Sequence, residues 1–356
     1  MPIREEPAPV EAAREAARSP NAELPGDNER VSKQTEPFEN VGFPGDSAAL
    51  REAAGALEDE TAATAPQRAA ERSLAEDAKP PAAAIPTPKP VLSRQNQPLI
   101  YGIASDVGSV RDNNEDACFG MQWQSITVDD RPDFGLFIVA DGMGGHLDGE
   151  RASGVAVQTL ASEMIDKIYV PLLKDFTARS APTILEALTR ASEEANRAVM
   201  KRVPGGGTTL SAVAIVGNLA YLVHVGDSRA YLLYEDTIEQ LTTDHTLVQR
   251  LLEMNELTLE EAEHYPQKNV LYRAIGQNEQ LKMERLIRAL PAGSNVLICT
   301  DGLWDMVEDE TIKQIAAKSS TPQEACDNLV RVANARGGSD NITVIVFRVP
   351  SDEELD

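Results

Sequence analysis

Residues 134–149 are Phe-Gly-Leu-Phe-Ile-Val-Ala-Asp-Gly-Met-Gly-Gly-His-Leu-Asp-Gly. The first seven are apolar or small, and aromatic and branched side chains dominate them, which predicts a short buried strand. The pattern stops at Asp141-Gly142, so a carboxylate is expected at the end of this strand. The glycine after it can bring its own carbonyl close to a ligand. Asp-Gly is also a common turn dipeptide, and this one pair leaves both interpretations open.

The same arrangement recurs twice. The apolar run 296–300 also stops at an Asp-Gly pair, Asp301-Gly302, and Asp340-Asn341 immediately precedes the apolar run 342–347. Three carboxylates at strand ends predict strands that converge on one acidic cluster. Like charges about 4 Å apart cost roughly 4 kcal/mol at an effective dielectric near 20. We therefore expect divalent cations with oxygen ligands, for which Mg²⁺ or Mn²⁺ is suited.

Composition divides the chain into a tail and one folded domain. The first 100 residues hold 14 of the 22 prolines, and their only aromatic residues are Phe38 and Phe43. Such a stretch buries too little apolar surface to offset chain entropy, so a disordered tail is predicted over 1–97. It is interpreted either as an inert extension or as a docking or autoregulatory segment. The folded domain is expected over 98–350, and 351–356 form a short acidic tail.

Charge and cysteine content narrow the function classes. A net charge of −24 disfavours nucleic acid and anionic membranes as partners. No apolar stretch is long enough to predict a transmembrane helix, and the first residues lead into no signal-peptide core. Three cysteines without a Cys-x-x-Cys motif indicate buried thiols rather than a disulfide framework. A cytoplasmic protein is expected.

Strands and helices come in separate runs, which disfavours an all-parallel α/β sheet. A polar, Glu-rich insertion at 243–268 with helical spacing is interpreted as a flap that selects substrates. The run of strands before the flap is interpreted as an antiparallel meander. The apolar spacing predicts helices at 150–168, 182–201, 309–317 and 322–335, and strands at 210–216, 220–225, 230–234 and 238–241.

Three other features of the sequence concern phosphate or metal binding. Arg111 lies beside a dense acidic stretch and is a candidate phosphate ligand, because a guanidinium binds phosphate oxygens in a bidentate fork. A surface ion pair is the other interpretation. Gly205-Gly206-Gly207 lacks the ending of a P-loop and is interpreted as structural. The four histidines have no metal-ligand spacing and are also interpreted as structural, with His146 as the best exception.

Taken together, the motifs between about 99 and 349 resemble the metal-dependent protein phosphatase (PPM) family, the type 2C Ser/Thr phosphatases. They occur in the order Arg111-Asp112-Asn113-Asn114-Glu115-Asp116, Asp141-Gly142-Met143-Gly144-Gly145-His146, Gly207-Thr208-Thr209, Val225-Gly226-Asp227-Ser228-Arg229, Asp301-Gly302 and Asp340-Asn341. Three further motifs resemble the bacterial branch, namely Leu241-Thr242-Thr243-Asp244-His245, Glu260-Glu261-Ala262 and Arg273-Ala274-Ile275-Gly276.

The resemblance implies an α+β fold, a four-layer α-β-β-α sandwich of two antiparallel sheets flanked by helices. It implies two Mn²⁺ or Mg²⁺ ions bridged by Asp141, with the Gly142 carbonyl completing one site and Asp301 and Asp340 the other. Such a pair of ions activates a shared water for in-line attack at phosphorus. Glu115 and Asp116 would act mainly through water.

Two positions depart from the family pattern. Met143 stands where animal members carry a histidine proposed as general acid. Residues 201–204 offer no carboxylate at the position where bacterial members often have a third-metal ligand.

The resemblance implies hydrolysis of phosphoserine and phosphothreonine in proteins, with Arg111 holding the substrate phosphate. The expected partners are phosphoproteins made by a Ser/Thr kinase, and a monomer is expected. Two alternatives are a pseudophosphatase that only binds phosphoproteins and a phosphatase for small phosphate esters. Retention of Asp141, Gly142, Asp301 and Asp340 argues against the pseudophosphatase.

Overall fold

The computed structural model describes residues 99–123, 133–143, 147–171, 183–263 and 265–349. The predictions for the tail 1–97 and the acidic tail 351–356 fall outside these ranges, as do those for His146 and His264.

The described strands form two sheets in which every pairing is antiparallel. The first sheet has five strands, in the spatial order β1 (Ile100–Asp106), β11 (Ile342–Arg348), β10 (Asn295–Cys299), β7 (Arg229–Tyr234) and β8 (Thr237–Gln240). The second has six, in the order β2 (Asp116–Trp123), β3 (Phe134–Met143), β5 (Leu210–Val216), β6 (Leu219–Val225) and β9 (Glu284–Ala289), with β4 (Gly207–Thr208) paired to the end of β3.

Helices cover the outer face of each sheet. None of the described helices is long and apolar enough to cross a membrane. Their bounds are α1 (Leu147–Met164), followed by a π-helical turn (Ile165–Tyr169), α2 (Ile184–Arg202), α3 (Leu247–Glu253), α4 (Leu259–Glu263), α5 (Asp301–Trp304), α6 (Asp309–Lys318) and α7 (Pro322–Ala335).

Strand β3 shows why the fold has four layers. Leu136 and Ile138 belong to a buried cluster shared with α1 and α2, whereas Phe137 and Val139 face the other sheet. There Phe137 stacks on Phe347, with ring centroids 4.6 Å apart. Because both faces of β3 are buried, its sequence is apolar throughout instead of alternating. The predicted α-β-β-α sandwich is confirmed.

The predicted antiparallel meander is wrong at one connection. β5 and β6 form a hairpin, and so do β7 and β8, but β6 and β7 lie in different sheets. The link between them crosses from one layer to the other at Gly226, whose φ of +110° favours glycine. The hydroxyls of Thr209 and Ser228 lie 2.7 Å apart and hold this crossing against β5. Local hairpin patterns do not report which sheet a strand joins.

The three cysteines are free thiols, as expected. Cys299 and Cys326 are buried, whereas Cys118 is only half-buried because it lies on β2 at the edge of the second sheet.

Candidate metal centre

The ends of β2 and β3 bring two carboxylates opposite each other. Asp116 pairs with Asp141 in the antiparallel register. The backbone of Asp141 is fixed on both sides, since its N–H donates to Thr209 Oγ1 at 2.8 Å and its carbonyl accepts from Thr209 N at 2.9 Å. Thr208 Oγ1 also donates to that carbonyl, at 2.8 Å. Strand β3 therefore holds the Asp141 side chain near the strand end, while the main chain of Asp141 is fully hydrogen-bonded.

The first sheet contributes carboxylates at the same place. Asp301 follows the end of β10, and Asp340 precedes the start of the neighbouring β11. The two sheets are joined here by Thr300 Oγ1, which donates to Asp116 Oδ2 at 2.9 Å. The carboxyl groups of Asp301 and Asp141 also lie close enough to interact electrostatically. The three strand ends thus meet, as the repeated strand-Asp pattern predicts.

Two oxygens of this cluster are buried without a protein partner. In the part of the chain that the structure describes, Oδ1 of Asp116 and Oδ1 of Asp301 have no hydrogen-bond partner. Buried polar atoms are nearly always satisfied, so such atoms call for a ligand. Carboxylate oxygens that converge in this way are the donors that Mg²⁺ and Mn²⁺ prefer. The residues present therefore fit a divalent-cation centre.

The electrostatics point the same way. Burial, with the charges of Asp301 and Asp340 adding to it, raises the pKa of Asp116 to about 7. Burial raises the pKa of Asp301 to about 6 and, with the neighbouring carboxylates, that of Asp141 well above its ordinary range. Asp227, at the β6–β7 crossing, has its pKa raised to about 8 by burial and then by the charge of Asp301. Without a cation, the cluster therefore favours protonated carboxyls.

The backbones of Gly142 and Glu115 approach each other closely beside the carboxylates. Gly142 N donates to Glu115 O at 3.1 Å, and a Cβ on Gly142 would lie only 2.7 Å from that same oxygen. Only glycine fits there. Asn341 fixes the strand end from the other side, since its Oδ1 accepts from Glu115 N at 2.7 Å and its Nδ2 donates to Asn113 O at 2.8 Å.

Arg111 lies at the rim of the cluster. Its Nη2 donates to Asp340 Oδ2 at 2.6 Å, and its side chain is half exposed. The structure thus contains the ion pair that was one interpretation of Arg111, and it also places the guanidinium beside the carboxylates, where the phosphate interpretation requires it.

The comparison with known families decides what kind of domain this is. The family model for protein phosphatase 2C matches residues 109–336, which contain every carboxylate of the cluster except Asp340. The chain belongs to the protein phosphatase 2C family. This match confirms the resemblance to the PPM family, and the bacterial relatives described next confirm the bacterial branch.

Bacterial Ser/Thr phosphatases are among the proteins that this chain is similar to. The Ser/Thr protein phosphatase PstP of Mycobacterium tuberculosis is 38% identical over 261 residues, which are 72% of this chain and 46% of that relative. This chain therefore spans about half the length of that relative. The Ser/Thr phosphatase stp of Listeria innocua is 34% identical over 249 residues, 68% of this chain and 92% of the relative. A solved PstP catalytic domain in complex with two manganese ions has a TM-score of 0.58 at 33% identity, covering 71% of this chain and 99% of that one.

A second group of side chains in this domain could in principle ligate a metal ion, but it is better explained as structural. Ligand atoms of His224, His245 and Glu284 lie within 4.8 Å of one another. However, His224 is bonded through Nδ1 to Ser211 Oγ at 2.8 Å and through Nε2 to Thr243 O at 3.1 Å.

His245 is occupied in the same way. Its Nδ1 accepts from Gly226 N at 3.0 Å, and its Nε2 faces Arg273 Nη1 at 3.3 Å, a cation that would repel a metal ion. Burial lowers the pKa of His224 to about 4 and that of His245 to about 3, so both rings are neutral. The acidic cluster remains the better candidate for the metal centre.

One buried acid of the type 2C site was missed from the sequence. Asp227 belongs to a quoted motif but received no role, although it follows strand β6 as Asp301 follows β10. That shared strand-Asp pattern was the available signal. The other predicted residues lie together where the strand ends of the two sheets meet, and their individual roles as ligands stay predictions.

Proposed function

We propose that this protein is a metal-dependent protein Ser/Thr phosphatase, which hydrolyses phosphoserine and phosphothreonine in proteins. The observation that carries the proposal is the pair of buried, unpartnered oxygens on Asp116 and Asp301 at the meeting point of two sheets. Support comes from the family, whose relatives PstP and stp are named Ser/Thr phosphatases.

Asp141 is proposed as the ligand shared by both cations, because it faces Asp116 across the β2–β3 pair and its carboxyl interacts electrostatically with that of Asp301. Asp301 and Asp340 would supply ligands to one site, and the Gly142 carbonyl would supply a ligand to the other. Two Mn²⁺ or Mg²⁺ ions held there would neutralise charge on the transferring phosphoryl group and activate the attacking water. Glu115 and Asp116 would act mainly through water held at this centre.

The substrates proposed are phosphoproteins made by a Ser/Thr kinase, with the protein acting as a cytoplasmic monomer. An acidic domain of this kind repels nucleic acid and anionic lipid. The free thiols are compatible with a reducing compartment.

The deciding experiment measures hydrolysis of an aryl phosphate and a phosphothreonine peptide by the full chain, with Mn²⁺ and then with excess EDTA. Turnover of both substrates that requires Mn²⁺ is expected. Turnover that persists in EDTA would refute the metal mechanism. Peptide binding without turnover, with any divalent cation, would instead favour a pseudophosphatase, and hydrolysis of small esters alone would remove proteins as substrates.

Arg111 is proposed to hold the substrate phosphate. Replacing it by alanine should raise KM for aryl phosphate about 10-fold to 100-fold, since hydrogen bonds to charged groups contribute about 1.5–3 kcal/mol. Inhibition by inorganic phosphate should weaken by a similar factor. Arg285→Ala, at an exposed position of β9, is the matched control. Unchanged phosphate inhibition in Arg111→Ala would assign Arg111 to its ion pair with Asp340 alone.

The segment 243–268 is proposed as a flap that selects protein substrates. It carries α3 and α4, and Leu259 at the start of α4 is 76% exposed. Leu259→Ser should raise KM for a phosphopeptide about 5-fold, the equivalent of about 1 kcal/mol of apolar contact, and leave KM for aryl phosphate unchanged. Ile287→Ser on β9, also exposed, is the control. Equal changes on both substrates would argue for a structural role.

A further inference from the structure

Arg229 is held on several sides at the crossing between the two sheets. Its Nη2 donates to Asp244 Oδ2 at 2.7 Å and its Nε to Asp244 Oδ1 at 3.0 Å, which is the bidentate fork of a strong pair. Its Nη1 donates to the hydroxyl of Tyr231 at 3.1 Å. The Arg229 side chain is only 20% exposed and that of Asp244 only 9%. The guanidinium plane therefore has a fixed position and orientation.

One face of that plane is covered by Trp304. The guanidinium carbon of Arg229 lies 3.6 Å from the centroid of the Trp304 ring, a close cation–π contact. The indole Nε1 donates to the carbonyl of Asp227 at 3.0 Å. Trp304 is the last residue of α5, and Asp301 is the first. The one-turn helix α5 thus begins at a candidate metal ligand, Asp301, and ends at Trp304, whose indole is held in place.

Asp244, the acid that Arg229 contacts, lies near the N-terminal end of the flap (243–268). Asp244 precedes His245, whose N–H donates to Gly226 O at 2.8 Å and whose Nδ1 accepts from Gly226 N at 3.0 Å. Asp244 is therefore anchored to the β6–β7 crossing and cannot follow a displaced Arg229 side chain. Movement of Arg229 would instead be transmitted to Trp304 and α5.

We infer that Arg229 and Trp304 form a positioning unit that fixes the Asp301 carboxylate in the metal centre, without contact to the substrate. A helix of one turn has few hydrogen bonds of its own, so the orientation of Asp301 depends on what holds the far end of α5. Contacts behind a metal ligand typically change metal affinity 10-fold to 100-fold when removed. The inference rests on the proposed metal-dependent function.

The test is direct Mn²⁺ binding to the full chain by titration calorimetry, together with the Mn²⁺ dependence of aryl phosphate hydrolysis. Trp304→Leu removes the ring and its N–H, and should weaken the weaker of two Mn²⁺ sites about 10-fold to 100-fold. Trp304→Phe keeps a ring over Arg229 and should show a smaller loss. In both variants kcat should return to within a few-fold of wild type at saturating Mn²⁺.

Trp123→Leu is the matched control, because Trp123 is the other tryptophan of the chain and packs on Tyr169 at the far end of β2. It should leave both Mn²⁺ affinities unchanged. If Trp304→Leu lowers the thermal midpoint but binds both ions as the wild type does, the unit is only structural and the inference is wrong. A wild type that neither binds Mn²⁺ nor hydrolyses phosphate esters would instead overturn the proposed function, and this inference with it.

Discussion

Asp141→Ala is expected to lower kcat for phosphate-ester hydrolysis by at least about 10³-fold, at any Mn²⁺ concentration. The side chain is the proposed ligand common to both cations, and stabilisation of a phosphoryl transition state by such ions is worth several kcal/mol. Each 1.36 kcal/mol corresponds to about tenfold in rate. Excess Mn²⁺ cannot compensate, because the variant lacks the shared ligand itself.

The same substitution should leave the thermal midpoint of the metal-free protein unchanged or raise it. Asp141 makes its β-sheet contacts through the backbone, which alanine retains, and its carboxyl lies against Asp116 and Asp301. Removing it relieves repulsion between like charges. Asp236→Ala, in the exposed turn between β7 and β8, controls for the loss of an aspartate. Activity above a few per cent of wild type at saturating Mn²⁺ would disprove the bridging role.

The positions of three acids of the cluster could be predicted, because the sequence beside each of them is determined by burial of the neighbouring strand alone. Asp141 ends the apolar run of β3, Asp301 follows β10 and Asp340 comes just before β11, and both faces of these strands are covered. Such strands are uniformly apolar, so their ends are recognisable in the sequence by the change to polar residues. The convergence of the three acids then follows from antiparallel pairing, which places the end of β10 beside the start of β11.

What could not be predicted depends on contacts between distant segments. Strand β2, which carries Asp116, is half-buried along its whole length at a sheet edge, so its sequence has no strand periodicity. The role of Asp227 depends on the crossing between sheets, which a hairpin pattern conceals. The contact between Arg229 and Trp304 joins residues on different elements, and no local spacing in the sequence predicts it.

Raising the pH from about 6.5 to about 8 should lower the thermal midpoint of the metal-free protein. The folded-state pKa values of Asp116, about 7, and Asp227, about 8, lie above the ordinary aspartate value of 3.8. In this window the folded protein binds more protons than the unfolded chain, so the free energy of unfolding falls as the pH rises. Below about pH 6.5 the buried neutral His224 and His245 act in the opposite direction, because their folded-state pKa values lie below 6.5.

Mn²⁺ should reverse this dependence, because cations bind the deprotonated carboxylates that the metal-free fold disfavours. A ligand at 100 times its Kd stabilises a protein by about 2.7 kcal/mol, which for a domain of this size raises the midpoint by about 5–10 °C. The increase on adding Mn²⁺ should therefore be largest near pH 8 and smaller at pH 6.5. Differential scanning calorimetry with Mn²⁺ and with EDTA measures both curves, and Asp116→Asn should flatten the metal-free slope. A metal-free thermal midpoint that rises between pH 6.5 and 8 would contradict this prediction. It would show that the carboxyls of the cluster are already ionised in the folded protein, and that a charge other than a bound cation balances the repulsion among them.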